Sequence, residues 1–453
     1  KEVWQLRGWP VNWLLELDPL VGLATLLSTR TIYAGLLWGL ATVALTLVLG
    51  RVFCGWICPF GAMHQFLGYL GRRRKKPAAQ LEANRFRPAQ AVKYYILVFF
   101  LAAAVLLPPG WLSSGSLLTG LLDPLPLAHR SVNLILLPLA DRAGLNFSPL
   151  PRWYEGAWLI GAVFLTALFL NLRVPRFYCR FVCPLGALLG LLSRFALWRI
   201  GRTEEGCTDC RLCERGCEGA CEPTGRIRIS ECVMCLNCLD ECRHDAVAYR
   251  TRPSAGGEIL LPDLSRRGFI VSAVSGVVAA PVMRLGGATG PNWNPGLIRP
   301  PGALPEEAFL ARCIRCGQCM RVCPTNVIHP AGFEAGLEGL WTPKLSFRAG
   351  TSGCQHTCIA CGNLCPTAAI RPISLDERRG QNAFAGRGPI RIGTAFVDRG
   401  RCLPWAMDRP CIVCQENCPV SPKAIFTREV FSAVRTSAPL TLKSADRCRL
   451  ALS

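Results

Sequence analysis

Residues 206–223 read GCTDCRLCERGCEGACEP and residues 231–242 read ECVMCLNCLDEC. Cys207, Cys210, Cys213 and Cys217 follow a C-x2-C-x2-C-x3-C spacing, and Cys232, Cys235, Cys238 and Cys242 repeat it. That spacing wraps three thiolates round one [4Fe–4S] cube and sends the fourth to a second cube. Structural zinc uses paired C-x2-C knuckles and four ligands, so a third and fourth cysteine given twice have no use in it. Two runs joined by a short link therefore predict a two-cluster ferredoxin module. Cys221, followed by Glu222 and Pro223, competes with Cys217 as the ligand that crosses to the second cube.

The rest of the composition places this module in a larger frame. The chain has 453 residues, 51% of them hydrophobic, 26 cysteines and a net charge of +21. The length calls for two or more domains. A mean hydropathy of +0.28 points to membrane spans, and the cysteine runs read as metal ligands rather than a disulfide framework. The basic charge lies mostly in short loops beside apolar runs, where it sets topology, so nucleic acid is not an expected partner.

Residues 31–50, 94–112 and 156–172 are the apolar runs long enough to approach a hydrocarbon core of roughly 30 Å. Arg51, Arg72, Arg73, Arg74, Lys75, Lys76, Arg85, Arg87 and Lys93 lie between the first two, and Arg173, Arg176, Arg180, Arg194, Arg199 and Arg202 follow the third. Segment 113–155 holds only Arg130, Arg142 and Arg152. The positive-inside bias puts 51–93 and 173–202 in the cytoplasm and 113–155 outside. The membrane portion also looks duplicated. Leu17-Asp18-Pro19-Leu20 precedes one span and the motif Cys54-x3-Cys58-Pro59, while Leu122-Asp123-Pro124-Leu125 precedes another and Cys179-x3-Cys183-Pro184. By that symmetry a further span is expected ahead of the first residue. On a helix each cysteine pair would share a face. The four thiols could supply one further cluster, act as a redox-active dithiol, or pack the span ends.

Leu264-Ser265-Arg266-Arg267-Gly268-Phe269-Ile270 and the weakly apolar VSAVSGVVAAPV after it resemble a twin-arginine export signal. Mid-chain, such a signal would serve as an anchor and carry the downstream segment outwards. The alternative is a basic linker before a buried helix. Beyond it come three more cysteine runs: Cys313, Cys316, Cys319 and Cys323; Cys354, Cys358, Cys361 and Cys365; and Cys402, Cys411, Cys414 and Cys418. The first two can exchange fourth ligands, and the lone Cys448 competes with Cys418 to close the third. No haem, P-loop or dinucleotide motif occurs, and the histidines form no pair at ligand spacing.

Together these features predict an α-helical membrane domain with small α+β ferredoxin-like modules. The boundaries are 1–202 for the helices, 203–252 for a cytoplasmic dicluster ferredoxin, 253–288 for the signal anchor and 289–453 for a periplasmic polyferredoxin. About five [4Fe–4S] clusters are expected, six if the C-x3-C-P thiols hold one. Residues 1–250 resemble the membrane subunit of the periplasmic nitrate reductase quinol dehydrogenase, a family that takes in the membrane part of the nitrous-oxide-reductase maturation flavoprotein. Residues 263–440 resemble its exported four-cluster ferredoxin partner, so the chain resembles a fusion of the two. It departs from them in Glu218 after Cys217, Arg243 after Cys242 and the lack of a fourth distal motif. The resemblance implies a multi-pass protein of the bacterial inner membrane that oxidises quinol and delivers electrons to a periplasmic redox enzyme or cytochrome subunit. Quinol oxidation also releases protons, and Asp18, Asp123 and His129 are candidate acceptors near the outer face; the aspartates could equally be turn or capping residues. A second possibility is a maturation factor that supplies electrons to a metalloenzyme during its assembly.

Overall fold

The apolar runs fold as helices. In the computed structural model, run 31–50 becomes a 3-10 turn, Ala34–Trp38, and a helix, Gly39–Leu49, which ends at Gly50 with φ 76°. Residues 12–427 are described, apart from 74, 106–114, 146, 149–151, 204–205, 286–296, 348, 350–352, 394–396, 408, 419–422 and 424. Run 94–112 gives the helix Val92–Ala104, and run 156–172 gives Ala157–Arg173. At 1.5 Å per residue these two span about 20 and 26 Å. Pro19–Thr29 and Pro184–Leu192 complete the core of a helical body, each opened by a proline in its first turn.

Among the described residues one helix is long and apolar enough to cross a membrane, within Arg266–Met283. It lies against Val92–Ala104 and runs in the same direction. Gly268 meets the Tyr95 ring, Gly276 meets the Phe99 carbonyl and Ala102, and Met283 packs beside Phe100 and Ala103. Small residues at the crossing let the two backbones approach. Its other face exposes Phe269, Ile270, Val271, Val274, Val278 and Val282.

Two small modules flank the helical body within the compact unit formed by residues 1–392. In the first, strand Arg199–Arg202 pairs antiparallel with Val247–Arg250, and Ile227–Arg228 pairs parallel with Glu258–Ile259. In the second, Ile328–Pro330 pairs antiparallel with Pro343–Leu345. The first module binds the start of the Val92–Ala104 helix, where Lys93 and Tyr94 reach Glu231. The second binds past its other end, where the Ser116 N–H donates to the Ala103 carbonyl and the Leu117 N–H to that of Leu310. The modules therefore occupy opposite ends of one body.

The segment expected as a single domain over 289–453 divides. Its part up to Ile392 belongs to the first unit, and residues 393–453 form a second. Described residues of that unit include the short helices Leu403–Ala406 and Val413–Glu416, which follow Cys402 and carry Cys414. Cys448 lies outside the described residues.

Candidate metal centre

The C-x2-C turns place their thiols by backbone conformations that side chains seldom adopt. Asp209, Arg211, Met234 and Leu236, between cysteines of the first module, all have φ between 50° and 63°. Such left-handed positions cost a non-glycine residue roughly 1–2 kcal/mol each, so the surrounding fold must hold them. The resulting thiols line a cavity formed by Cys207, Cys210, Cys213 and Cys242, with Cys210 exposed. The fourth cysteine of the second run has thus joined the first run, as the crossing spacing predicts.

The choice that the sequence leaves open stays open, because both candidates stand at the second run. Cys217 interacts with Cys232, Cys235 and Cys238, and Cys221 pairs with Cys217 and Cys232. In the second module Cys365 interacts with Cys313, Cys316 and Cys319, and Cys323 interacts with Cys354 and Cys361. These runs have also swapped fourth members.

The four C-x3-C-P thiols come together from the two halves of the helical body. Cys58 interacts with Cys54 and Cys179, and Cys183 with all three. Cys183 caps the helix Pro184–Leu192, its sulfur accepting from the Gly186 N–H at 3.1 Å. An N-terminus favours the thiolate. Arg51, 1% exposed, donates to the Ser230 carbonyl at 2.7 Å and reaches Cys54 Sγ at 3.9 Å. It forms no ion pair among the described residues. Its charge is met in part by the nearby Glu231 carboxylate. A cluster held by four thiolates carries net negative charge and would add to this, so four converging thiols beside a buried guanidinium fit that group.

Among the described residues, no group of three His, Cys, Asp or Glu side chains is placed to share one metal ion. A cube spreads its thiolates over several irons, so its ligands ring a space rather than meet at a point. The tight convergence of a structural zinc site is a different arrangement.

Charged pairs and a close backbone approach fasten the first module beside the four thiols. Arg176 Nε binds Glu218 at 2.6 Å with both side chains 1% exposed, and Lys93 binds Glu231 at 2.5 Å. Burial works to raise the Glu231 carboxyl, but Lys93 and Arg51 override it and hold the group below the usual carboxylate range. The stability this confers is present above that range and lost as pH falls through the depressed value. Trp56 Nε1 donates to the Met234 carbonyl at 2.9 Å. A Cβ at Gly55 would stand 2.7 Å from the Val233 carbonyl oxygen and 2.9 Å from that of Met234. Gly55→Ala is expected to cost about 1–3 kcal/mol by overpacking and to open residues 203–250 to limited proteolysis. Unchanged protection would contradict the contact.

The other end repeats the device. A Cβ at Gly120 would collide with the Ile314 carbonyl, in the turn between Cys313 and Cys316. Arg130 stacks on Trp341 at 4.3 Å, and Arg315 binds the Leu117 carbonyl. Cys58, Cys183, Tyr178, Ile314 and Cys316 belong to one buried cluster, so packed side chains run unbroken from the four thiols to the second module.

The three candidate proton acceptors separate. Asp18 and Asp123, both 0% exposed, face each other inside the body. Asp18 caps its helix by accepting from the Leu20 and Val21 N–H groups, whereas Asp123 makes no such cap. His129 lies at the second module, with Gln318 at 3.0 Å and Asn133 at 2.7 Å. Arg51 and Arg176 are not singled out by sequence reasoning, although the signal is present: both halves read R-x2-C-x3-C-P-x-G-A.

Residues 31–77 and 155–203 each match the family described as a 4Fe–4S binding domain, and residues 310–329 match a second family of that description. The first pair contains the four C-x3-C-P cysteines, one pair per match, so the duplication is real and the chain carries 4Fe–4S binding domains. The chain is similar to an uncharacterized protein of Methanocaldococcus jannaschii, 28% identical over 48% of this chain and 72% of the relative. It is 33% identical to the regulatory protein NosR of Pseudomonas aeruginosa over 45% of this chain and 25% of NosR. It is also 33% identical to the methylamine utilization ferredoxin-type protein MauM of Methylorubrum extorquens, over 33% of this chain and 63% of MauM. The chain thus spans only a quarter of the length of NosR and under two thirds of that of MauM. No solved structure matches.

Proposed function

We propose that the chain is a membrane-embedded iron–sulfur protein that passes electrons between the quinone pool and a redox enzyme outside the cytoplasmic membrane. The observation that carries this reading is the placing of two paired-thiol modules at opposite ends of one helical body, with a four-thiol site buried between them. When bound, [4Fe–4S] clusters would take up and release single electrons. The residues of the chain hold each thiol set, with Arg51 beside the four-thiol site.

Several features support a bilayer as the surroundings of the helices. Trp38, Leu40, Phe66, Trp158, Phe169 and Val271 expose large apolar surface, which in water would form an unfavourable patch. Arg72, Arg73, Lys75, Lys76, Arg85 and Arg87 collect at the end that binds the first module, as expected of a cytoplasmic face. The Arg266–Leu285 helix connects that end to the other. The order of segments matches a quinol dehydrogenase membrane subunit fused to its exported ferredoxin.

The test is quinol-driven reduction. Anaerobically purified protein in detergent should bleach in the visible and develop paramagnetic signals on adding a reduced quinol analogue. Bleaching by dithionite with none by quinol would reject quinone as the substrate and leave the clusters in place. Iron and sulfide analysis checks the premise: about twenty-four irons per chain with six cubes, about twenty with five. A zinc-rich, iron-poor protein would overturn both.

A further inference from the structure

Cys221 is one thiol more than the two cubes of the first module need. Its sulfur stands 3.2 Å from that of Cys217, its N–H donates to Cys217 Sγ at 3.3 Å, and it also pairs with Cys232. Cys217 and Cys221 are 4% and 3% exposed. Either thiol therefore stands where it could serve one and the same corner of a cube.

The local fold keeps Cys221 in this place at a cost. Ala220 and Glu222 on either side both have φ of 55°, a conformation costing roughly 1–2 kcal/mol per residue. The Arg228 N–H holds the Cys221 carbonyl at 2.9 Å. A Cβ at Gly219 would stand 2.5 Å from the Glu231 carbonyl oxygen, so the loop is pressed against the residue that precedes Cys232. A thiol that merely filled space would not require two flanking left-handed residues to aim it at two ligands.

We propose that Cys221 is a reserve ligand for the second cube of this module, able to replace Cys217 on the same iron. The inference rests on the reading that the module holds clusters. In the exchange, the iron–sulfur bond to Cys217 breaks as one to Cys221 forms. Cys217 takes up the proton that Cys221 releases, and no electron changes hands. The cube stays bound when one thiolate is lost or oxidised, at the position nearest the four-thiol site.

The test uses the full chain, purified anaerobically, as wild type, Cys217→Ala, Cys221→Ala and the double variant. Iron and sulfide are counted, and paramagnetic spectra recorded. Both single variants should keep the wild-type iron content, Cys217→Ala with one altered signal, and the double variant should lose about four irons. Signals from the remaining clusters report that each variant has folded. Loss of about four irons in either single variant, or none in the double, overturns the reserve role. Iron-free wild type would overturn the cluster reading itself, which the variants alone do not address.

Discussion

Cys183→Ser is expected to remove about four irons per chain and one paramagnetic centre, and Cys54, Cys58 and Cys179 should behave alike. The four thiols come from two halves of the chain, yet Cys183 interacts with all three others. Arg51, buried beside Cys54 and already acted on by Glu231, would gain further negative charge from a thiolate-bound cube. Serine keeps the shape of the site but is a poor ligand for iron. A redox-active dithiol would give the opposite pattern, activity lost with iron unchanged, and that result would displace the cluster from this site.

Glu218→Gln should loosen the first module by about 3–5 kcal/mol, since it strands Arg176 as a buried, uncompensated charge. Arg176 Nε loses its 2.6 Å partner, while Arg72, 3.3 Å from the same carboxylate, is partly exposed and can turn to water. Hydrogen exchange over residues 203–250 should rise sharply. The double change Arg176→Met with Glu218→Leu should recover much of the loss, because removing both charges removes the penalty. Equal exchange in wild type and Glu218→Gln would show that the pair does not fasten the module.

The cysteine spacing alone makes the thiol sets legible, down to the exchange of Cys242 and Cys365 into the partner runs. The choice between Cys217 and Cys221 is not legible there, because both lie within reach along the chain, and in the fold both stand beside Cys232. Run 31–50 overestimates its helix, since hydropathy does not register the 3-10 turn at Ala34–Trp38, while run 156–172 gives a helix of its own length. Topology places the aspartates near an outer face. The fold adds that Asp18 and Asp123 are buried against each other where the helices they precede begin, a pairing that spacing does not show. Gly55 and Gly120 carry no sequence signal of their docking role; it emerges only where a carbonyl from another segment lies against them.

The most direct test of a carrier with modules on two sides of a membrane is the compartment of each module. Reporter fusions ending after residue 252 and after residue 300 would be made with one reporter active only in the cytoplasm and one active only after export. The account predicts cytoplasmic activity alone at residue 252 and exported activity alone at residue 300, with Arg266→Lys and Arg267→Lys together abolishing the latter. The same compartment reported at both positions would contradict it.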